Sequence, residues 1–142
     1  MNQFLTTELI GKSSRLLHNN LGQKLKLAAL GITSEQWIIL QILSAGVRTQ
    51  KELGEITLKN KASINSLISN LLKLNLVIKT ISSKDKRATE ISISKIGNEV
   101  RKQAMKSAQE SVNHAFNGFS ELEIEQLNEL LKRVNNNLID NK

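Results

Sequence analysis

The sequence predicts a mainly α-helical fold that contains one small β-hairpin. Over most of the chain the apolar residues recur at the spacing of amphipathic helices. Only residues 77–94 change to the alternating, β-branched pattern that is typical of strands. Proline is absent from the 142 residues, so long helices can continue without a break.

The first two helices are separated by a glycine and a helix cap. Residues 5–28 are predicted to be helical because leucines recur along one face, and Gly31 ends this region. Thr33 and Gln36 form a capping box, in which each side chain accepts a hydrogen bond from the other residue's backbone N–H. This box begins a second helix, which should stop at Gly46.

A second capping box, formed by Thr49 and Glu52, begins a short helix over residues 50–57. We expect this helix to bury Leu53 and Ile56, which lie one turn apart.

The next helix is predicted over residues 61–74, with Asn60 as its N-cap. Asn75 follows where a left-handed backbone is needed, a conformation that asparagine tolerates well. At about 100° per residue, this helix has one apolar face and one small, polar face. The apolar face consists of Ile64, Leu67, Ile68 and Leu71.

Residues 77–82 and 89–94 are predicted to pair as a hairpin around a charged tip at residues 83–88. Ser94 can then cap a long helix over residues 95–116.

The last helix follows Gly118 and begins at a third capping box, Ser120 with Glu123. It carries an apolar stripe of Leu127, Leu130, Leu131, Val134 and Leu138.

This order of elements predicts a winged helix-turn-helix flanked by helices. We expect a single domain over residues 1–142, with the winged helix-turn-helix lobe at residues 33–94. The outer segments, residues 1–30 and 95–142, carry apolar stripes with no evident partner in so short a chain. They are predicted to form a helical dimerisation region.

Charge and composition restrict the function. The net charge is +7, and residues 56–87 contain seven basic residues and one acidic residue, which favours a polyanionic partner.

Cysteine is absent, which excludes disulfides and thiol chemistry. No apolar run approaches the roughly 20 residues that span a bilayer, and no secretory signal is recognised, so a cytoplasmic protein is expected.

Enzyme and cofactor sites are not predicted. His18 and His114 belong to no ligand-spaced cluster, so we expect no metal, and no cofactor motif is present. No catalytic constellation is suggested by spacing, so we expect no enzyme. Trp37 is interpreted as a core or staple residue rather than as a ligand platform.

The polar face of the helix at residues 61–74 is the candidate for reading bases in the major groove. Its small side chains allow close approach, and Asn65 is expected to pair bidentately with an adenine. A merely solvated face is the alternative interpretation. The candidate residues are Lys61, Ala62, Ser63, Asn65, Ser66, Ser69, Asn70 and Lys73.

The hairpin tip is the candidate for phosphate and minor-groove contacts. Arg87 is predicted to enter the minor groove, and Asp85 is expected to hold its guanidinium by a charge-assisted bond. Lys84 and Lys86 are expected to contact phosphates. An ordinary charged loop is the alternative.

The start of the short helix, at Arg48, Thr49 and Gln50, is a third candidate contact. Free backbone amides and the helix dipole would bind a phosphate there. The alternative is that Thr49 simply caps its own helix.

These segments resemble the MarR family of bacterial transcriptional regulators along nearly the whole chain. The most specific match is the wing sequence at residues 83–87 followed by residues 91–97, because the family has an Asp-x-Arg wing before a strand and a Gly-containing helix start. The other matching segments are residues 30–37, 49–53, 63–68 and 74–77.

The resemblance implies a homodimer joined through the first and last helices, a palindromic operator and, usually, repression. It also implies that small aromatic or anionic effectors bind between the dimerisation region and the DNA-binding lobe.

This chain departs from the family pattern at a few positions. Ser66 and Asn70 occupy positions where the family often has arginine, and Asn75 occupies one where it usually has glycine. The absence of cysteine excludes peroxide sensing by thiol oxidation.

Two functions remain open at this point. The first is a sequence-specific regulator that binds double-stranded DNA, acting as a ligand-responsive repressor. The alternative is a winged-helix module for protein–protein assembly without specific DNA binding. An assembly module would more often have an apolar outward helix face, so the polar face here favours DNA.

Overall fold

A computed structural model describes residues 2–139, which form six helices and three short strands. The mainly α-helical fold with a β-hairpin wing is therefore confirmed. The chain divides into two compact units, one extending to Ser111 and the other beginning at Val112. In chain order the elements are α1 (Gln3–Leu27), α2 (Ser34–Ser44), β1 (Arg48–Thr49), α3 (Gln50–Thr57), α4 (Lys61–Lys73), β2 (Val77–Ile81), β3 (Thr89–Ile93), α5 (Lys95–Ala115) and α6 (Glu121–Ile139).

The three strands form an antiparallel sheet in the order β1–β3–β2. The two long strands are the predicted hairpin, whereas β1 was not predicted. Its two residues pair with the central strand, Arg48 opposite Ile91 and Thr49 opposite Glu90. Two residues carry no measurable periodicity, so only the pairing across the fold reveals this strand.

The predicted helix starts are confirmed by the hydrogen bonds that cap them. The Gln36 backbone N–H donates to Thr33 Oγ1 over 3.2 Å, and the Thr33 N–H donates to Gln36 Oε1 over 2.9 Å. The Ser63 N–H donates to Asn60 Oδ1 over 2.8 Å, as expected for the cap of α4. These local bonds fix where α2 and α4 begin.

The hydrophobic core lies between α2, α3, α4 and the sheet. The predicted apolar face of α4 is buried, and Leu53 of α3 packs into the same core. The prediction that Ile56 is buried is wrong, because its side chain is 51% exposed. Helix α3 ends one residue later and Leu58 turns into the left-handed region at φ 57°, so no following turn covers Ile56.

Trp37 packs against this core, in agreement with its interpretation as a core residue. The side chain is half-buried, and its indole Nε1–H donates to the Arg101 carbonyl over 3.3 Å. Helix α2 is thereby connected to α5, which follows the wing.

The end of α4 is joined to the start of α5. Asn75 has the expected left-handed backbone, with φ 59°. Its N–H donates to the Leu72 carbonyl and the Leu76 N–H donates to the Leu71 carbonyl, each over 3.0 Å, which forms a Schellman motif. Ser94 Oγ then donates to the Asn75 carbonyl over 2.6 Å. Helix α4, the wing and α5 therefore meet at one junction.

Two helices expose apolar stripes. In the first unit, α1 exposes Phe4, Leu5, Leu9 and Leu16, while Leu25 is buried. In the second unit, α6 begins at the predicted box of Ser120 and Glu123 and exposes Leu122, Leu130, Val134 and Leu138. Over residues 2–139 no helix is long and apolar enough to cross a membrane.

Candidate nucleic-acid interface

The polar face of α4 is exposed, as its periodicity predicts. Ile64, Leu67, Ile68 and Leu71 point into the core, which leaves the opposite side of the helix in solvent. The side chains on that side are short, so the helix backbone can come close to a groove floor. All eight candidates on this helix are exposed: Lys61, Ala62, Ser63, Asn65, Ser66, Ser69, Asn70 and Lys73.

Asn65 has a partner that the sequence did not indicate. The side-chain amide of Gln50, at the start of α3, donates from Nε2 to Asn65 Oδ1. The two residues are 15 positions apart, so only the packing of α3 against α4 brings them together. One of the proposed base-reading side chains is therefore held by a residue of the preceding helix.

The start of α3 has the self-capped geometry that was the alternative to a phosphate clamp. The Thr49 N–H donates to Glu52 Oε1 over 2.9 Å, and the Glu52 N–H donates to Thr49 Oγ1 over 3.1 Å. Hydrogen bonds from the backbone and side chain of Thr49, with a smaller effect of the Arg48 charge, lower the pKa of the Glu52 carboxyl. An ionised carboxylate at this end opposes an approaching phosphate, so the self-capped alternative describes the geometry better.

Arg48 lies in β1 and is half-buried. Its Nη1 donates to the Val47 carbonyl over 3.2 Å. The strand pairing to Ile91 places its backbone beside the wing, so Arg48 is positioned between the helix-turn-helix and the hairpin.

The wing tip is ordered by its own polar side chains. The buried Ser82 Oγ accepts hydrogen bonds from the backbone N–H groups of Lys84 and Asp85, over 3.2 and 3.3 Å. Asp85 Oδ1 accepts from the Arg87 backbone N–H over 3.0 Å. These bonds fix the loop that presents Lys84, Lys86 and Arg87, all of which are exposed.

The expectation that Asp85 holds the Arg87 guanidinium is wrong in this structure. The ion pairs within residues 2–139 join Lys59 to Glu35 and Lys132 to Glu129, and neither includes Arg87. The short Asp85 side chain reaches the nearer backbone N–H instead, so it shapes the loop rather than the arginine rotamer.

A groove of about 580 Å³ lies between the start of α3 and the wing. Lys51, Lys84 and Arg87 line it together with Glu52, Asp85 and Glu90, so basic groups from two distant segments face one space. Lys51 was not predicted as a site residue. The sequence offered only the position of Lys51 in the first turn of α3, because the wing that it faces is more than 30 residues away along the chain.

Fold and site together define a winged helix-turn-helix protein whose helix α4 has an exposed, polar face and whose wing is basic. Residues 30–88 match the model of the MarR family. Over these residues, which include most of the winged helix-turn-helix, the chain is therefore similar to the MarR family. No curated protein sequence was found to match the chain.

Solved structures show the same fold over almost the whole chain. AbsC, a MarR family transcriptional regulator from Streptomyces coelicolor, is 20% identical, with a TM-score of 0.86 and coverage of 98% of this chain and 95% of that chain. A mutant MarR from E. coli in complex with operator DNA is 20% identical, with a TM-score of 0.83 and coverage of 94% and 96%. A probable transcriptional regulator from Pseudomonas aeruginosa is 26% identical, with a TM-score of 0.72 and coverage of 94% and 96%.

Proposed function

We propose that this chain is a DNA-binding transcriptional regulator that acts in the cytoplasm as a homodimer on a palindromic operator. The single observation that carries the proposal is the exposed, small and polar face of α4, which lies in one folded unit with a basic wing. Helix α4 would enter the major groove, and the wing would contact the adjacent backbone and minor groove. The E. coli MarR structure with operator DNA supports this arrangement through its shared fold.

The proposed roles follow the exposure of the residues. Asn65, Ser66, Ser69 and Asn70 would face base edges, while Lys61 and Lys73 at the two ends of α4 would contact phosphates. Because Ser66 and Asn70 are uncharged, much of the non-specific affinity would come from lysines and from the wing. The contacts at Arg48, Thr49 and Gln50 would be made beside the ionised Glu52, so we assign them a minor share of the phosphate binding.

The proposed dimer is supported by apolar surface. On α1 the side chains of Phe4, Leu9 and Leu16 are 84%, 54% and 57% exposed. On α6 Leu122 and Leu138 are 63% and 72% exposed. Exposed apolar side chains that recur along a helix mark an interaction surface, and helices at both ends of the chain can cover each other between two copies.

Sedimentation equilibrium is expected to give twice the chain mass of 15.9 kDa at micromolar concentration. Leu138→Glu on α6 should lower the apparent mass toward the monomer, because it places a charge in the covered stripe. Glu125→Lys, an exposed change on the same helix, is the control and should leave the dimer intact. A wild-type chain that sediments as a monomer would contradict the dimer.

A small aromatic or anionic effector is also proposed. A groove of about 970 Å³ lies between α1 and the start of α2 in the first unit. Leu25 and Ile32 supply apolar lining, and His18 and Lys26 supply basic groups. Binding pockets for small molecules fall in the range of about 300–1,000 Å³. Effector binding here would regulate release from the operator.

Selection of bound sequences from random duplexes tests the function directly. The wild-type chain should enrich a palindromic sequence, and small aromatic carboxylates should lower its affinity for that sequence. Asn65→Ala should reduce the discrimination between selected and random duplexes by about tenfold, while binding to random DNA changes little. Equal losses on both duplexes would mean that Asn65 does not read a base.

The alternative, an assembly module with an acidic protein partner, predicts a different outcome. Such a chain would enrich no sequence, and its binding to duplexes would depend on salt alone.

A further inference from the structure

We propose that Gln50 is a positioning residue that decides which edge of the Asn65 side-chain amide faces DNA, and hence which base is preferred there. This inference rests on the proposed function and deepens it. It concerns a residue that the sequence suggested only as a phosphate contact.

The backbones of Gln50 and Asn65 are both fixed by neighbouring hydrogen bonds. Gln50 is the first residue of α3 and is half-buried. The residue before it, Thr49, caps that helix and pairs with Glu90 of the central strand. Asn65 lies in the second turn of α4, whose start is capped by Asn60. The distance between the two side chains is therefore set by the packing of α3 against α4.

The direction of the hydrogen bond determines the orientation of Asn65. Gln50 Nε2 donates to Asn65 Oδ1, so the oxygen of the Asn65 amide is turned toward α3. The amino group lies on the opposite side of the planar amide, because oxygen and nitrogen are bonded to the same carbon. Since Asn65 is exposed, its amino group remains available as a hydrogen-bond donor.

A donor edge matches some bases better than others. Guanine presents two acceptors in the major groove, N7 and O6, whereas adenine presents one acceptor and one amino donor. The bidentate contact with adenine needs the Asn65 oxygen to accept from that amino group. This oxygen keeps a second lone pair, but Gln50 holds it on the side of α3, so the edge left for a base carries the amino group. The pair therefore favours guanine, in place of the adenine that asparagine alone suggests.

The test uses the duplex selected by the wild-type chain. The base pair read by Asn65 is the position where Asn65→Ala loses its preference, and all four base pairs are compared there. The wild type should prefer guanine over adenine by about tenfold, in line with the discrimination of one good base contact. Gln50→Ala should reduce this ratio to less than about threefold, because the Asn65 amide becomes free to turn over.

Gln50→Glu is the sharper variant. A carboxylate only accepts hydrogen bonds, so Asn65 must present its amino group to it and turn its oxygen outward. The preference should move from guanine to a base with an amino donor, adenine or cytosine. A glutamate in the first turn is compatible with the helix. Its added charge lowers the affinity for all duplexes alike. The readout is therefore the ratio of affinities for different base pairs, measured within each variant.

The controls separate positioning from folding. Lys51→Gln, at the next residue of α3, should weaken binding to all sequences without changing the base preference. Asn65→Ala combined with Gln50→Ala should discriminate no worse than Asn65→Ala alone, because the two residues act as a unit. If both Gln50 variants kept the wild-type preference at this base pair, the inference would be overturned and the proposed function would remain intact. A wild-type chain that selects no sequence would overturn both.

Discussion

Arg87→Ala is expected to weaken binding to the selected duplex by more than about tenfold at fixed salt. Arg87 is exposed at the wing tip, and its backbone N–H is fixed by Asp85, so its charge is delivered from a rigid loop. An arginine in a narrow minor groove meets concentrated negative potential and loses more on deletion than a mobile surface charge. Fluorescence anisotropy at several salt concentrations should also show the salt slope falling by about one unit.

Lys106→Ala is the matched control for the loss of one positive charge. Lys106 is exposed on α5, on the side opposite its buried residues Ala104, Ser107 and Ala108. This variant should bind almost as the wild type does. If Arg87→Ala and Lys106→Ala lowered affinity equally, the wing would contribute only net charge.

The Asp85 variants separate loop shape from charge. Asp85→Asn keeps a side-chain oxygen that can accept from the Arg87 N–H, so it should bind at least as tightly as the wild type. Asp85→Ala removes that acceptor and should weaken binding, although it also removes a negative charge. Tighter binding by Asp85→Ala than by Asp85→Asn would contradict the role of Asp85 in shaping the loop.

Gly97→Ala is expected to destabilise the protein by about 3 kcal/mol, at the upper end of the range for overpacking. A Cβ at this position would lie 2.0 Å from the Leu76 carbonyl oxygen and 2.9 Å from its carbon. Both are backbone atoms, and the same carbonyl accepts from the Ser94 N–H, so neither can move aside as the end of a flexible side chain could. The gain in helix propensity from alanine, about 1 kcal/mol, is too small to offset this clash.

Urea denaturation followed by circular dichroism measures the loss, at equal protomer concentration because a dimer's stability depends on it. Gly11→Ala is the control, since within one protomer the added Cβ would contact only the Arg15 guanidinium, at 3.6 Å. That variant should be as stable as the wild type or more stable by up to about 1 kcal/mol. A Gly97→Ala protein with the wild-type midpoint would show that α5 does not approach Leu76 as closely as described.

The predicted elements agree with the observed ones wherever the signal was local. Thr33, Thr49 and Ser120 begin helices because each accepts a hydrogen bond from a backbone group three residues away. The faces of α4 follow from its periodicity in the same way, which made its exposed candidates predictable as a set. The prediction that Ile56 is buried was wrong because its signal was not local. Burial depends on which other elements cover a side chain, and none covers Ile56.

Contacts within the candidate site were less predictable than its location. Asp85 and Arg87 are two residues apart, and their charges suggested an ion pair, yet the carboxylate bonds to the backbone. Chemical type alone did not distinguish these two outcomes, because the choice depends on the turn that Ser82 organises.

By itself, the sequence determined the order of helices and strands, the basic middle segment and the small polar face of one helix. Caps, periodicity and charge act between residues near each other along the chain, so they can be read without a structure. Only the tertiary structure decided that Arg48 pairs with Ile91, that Gln50 holds Asn65 and that Gly97 approaches Leu76. These partners are 15 to 43 residues apart, and their meeting depends on the combined packing of several elements, which no local pattern encodes.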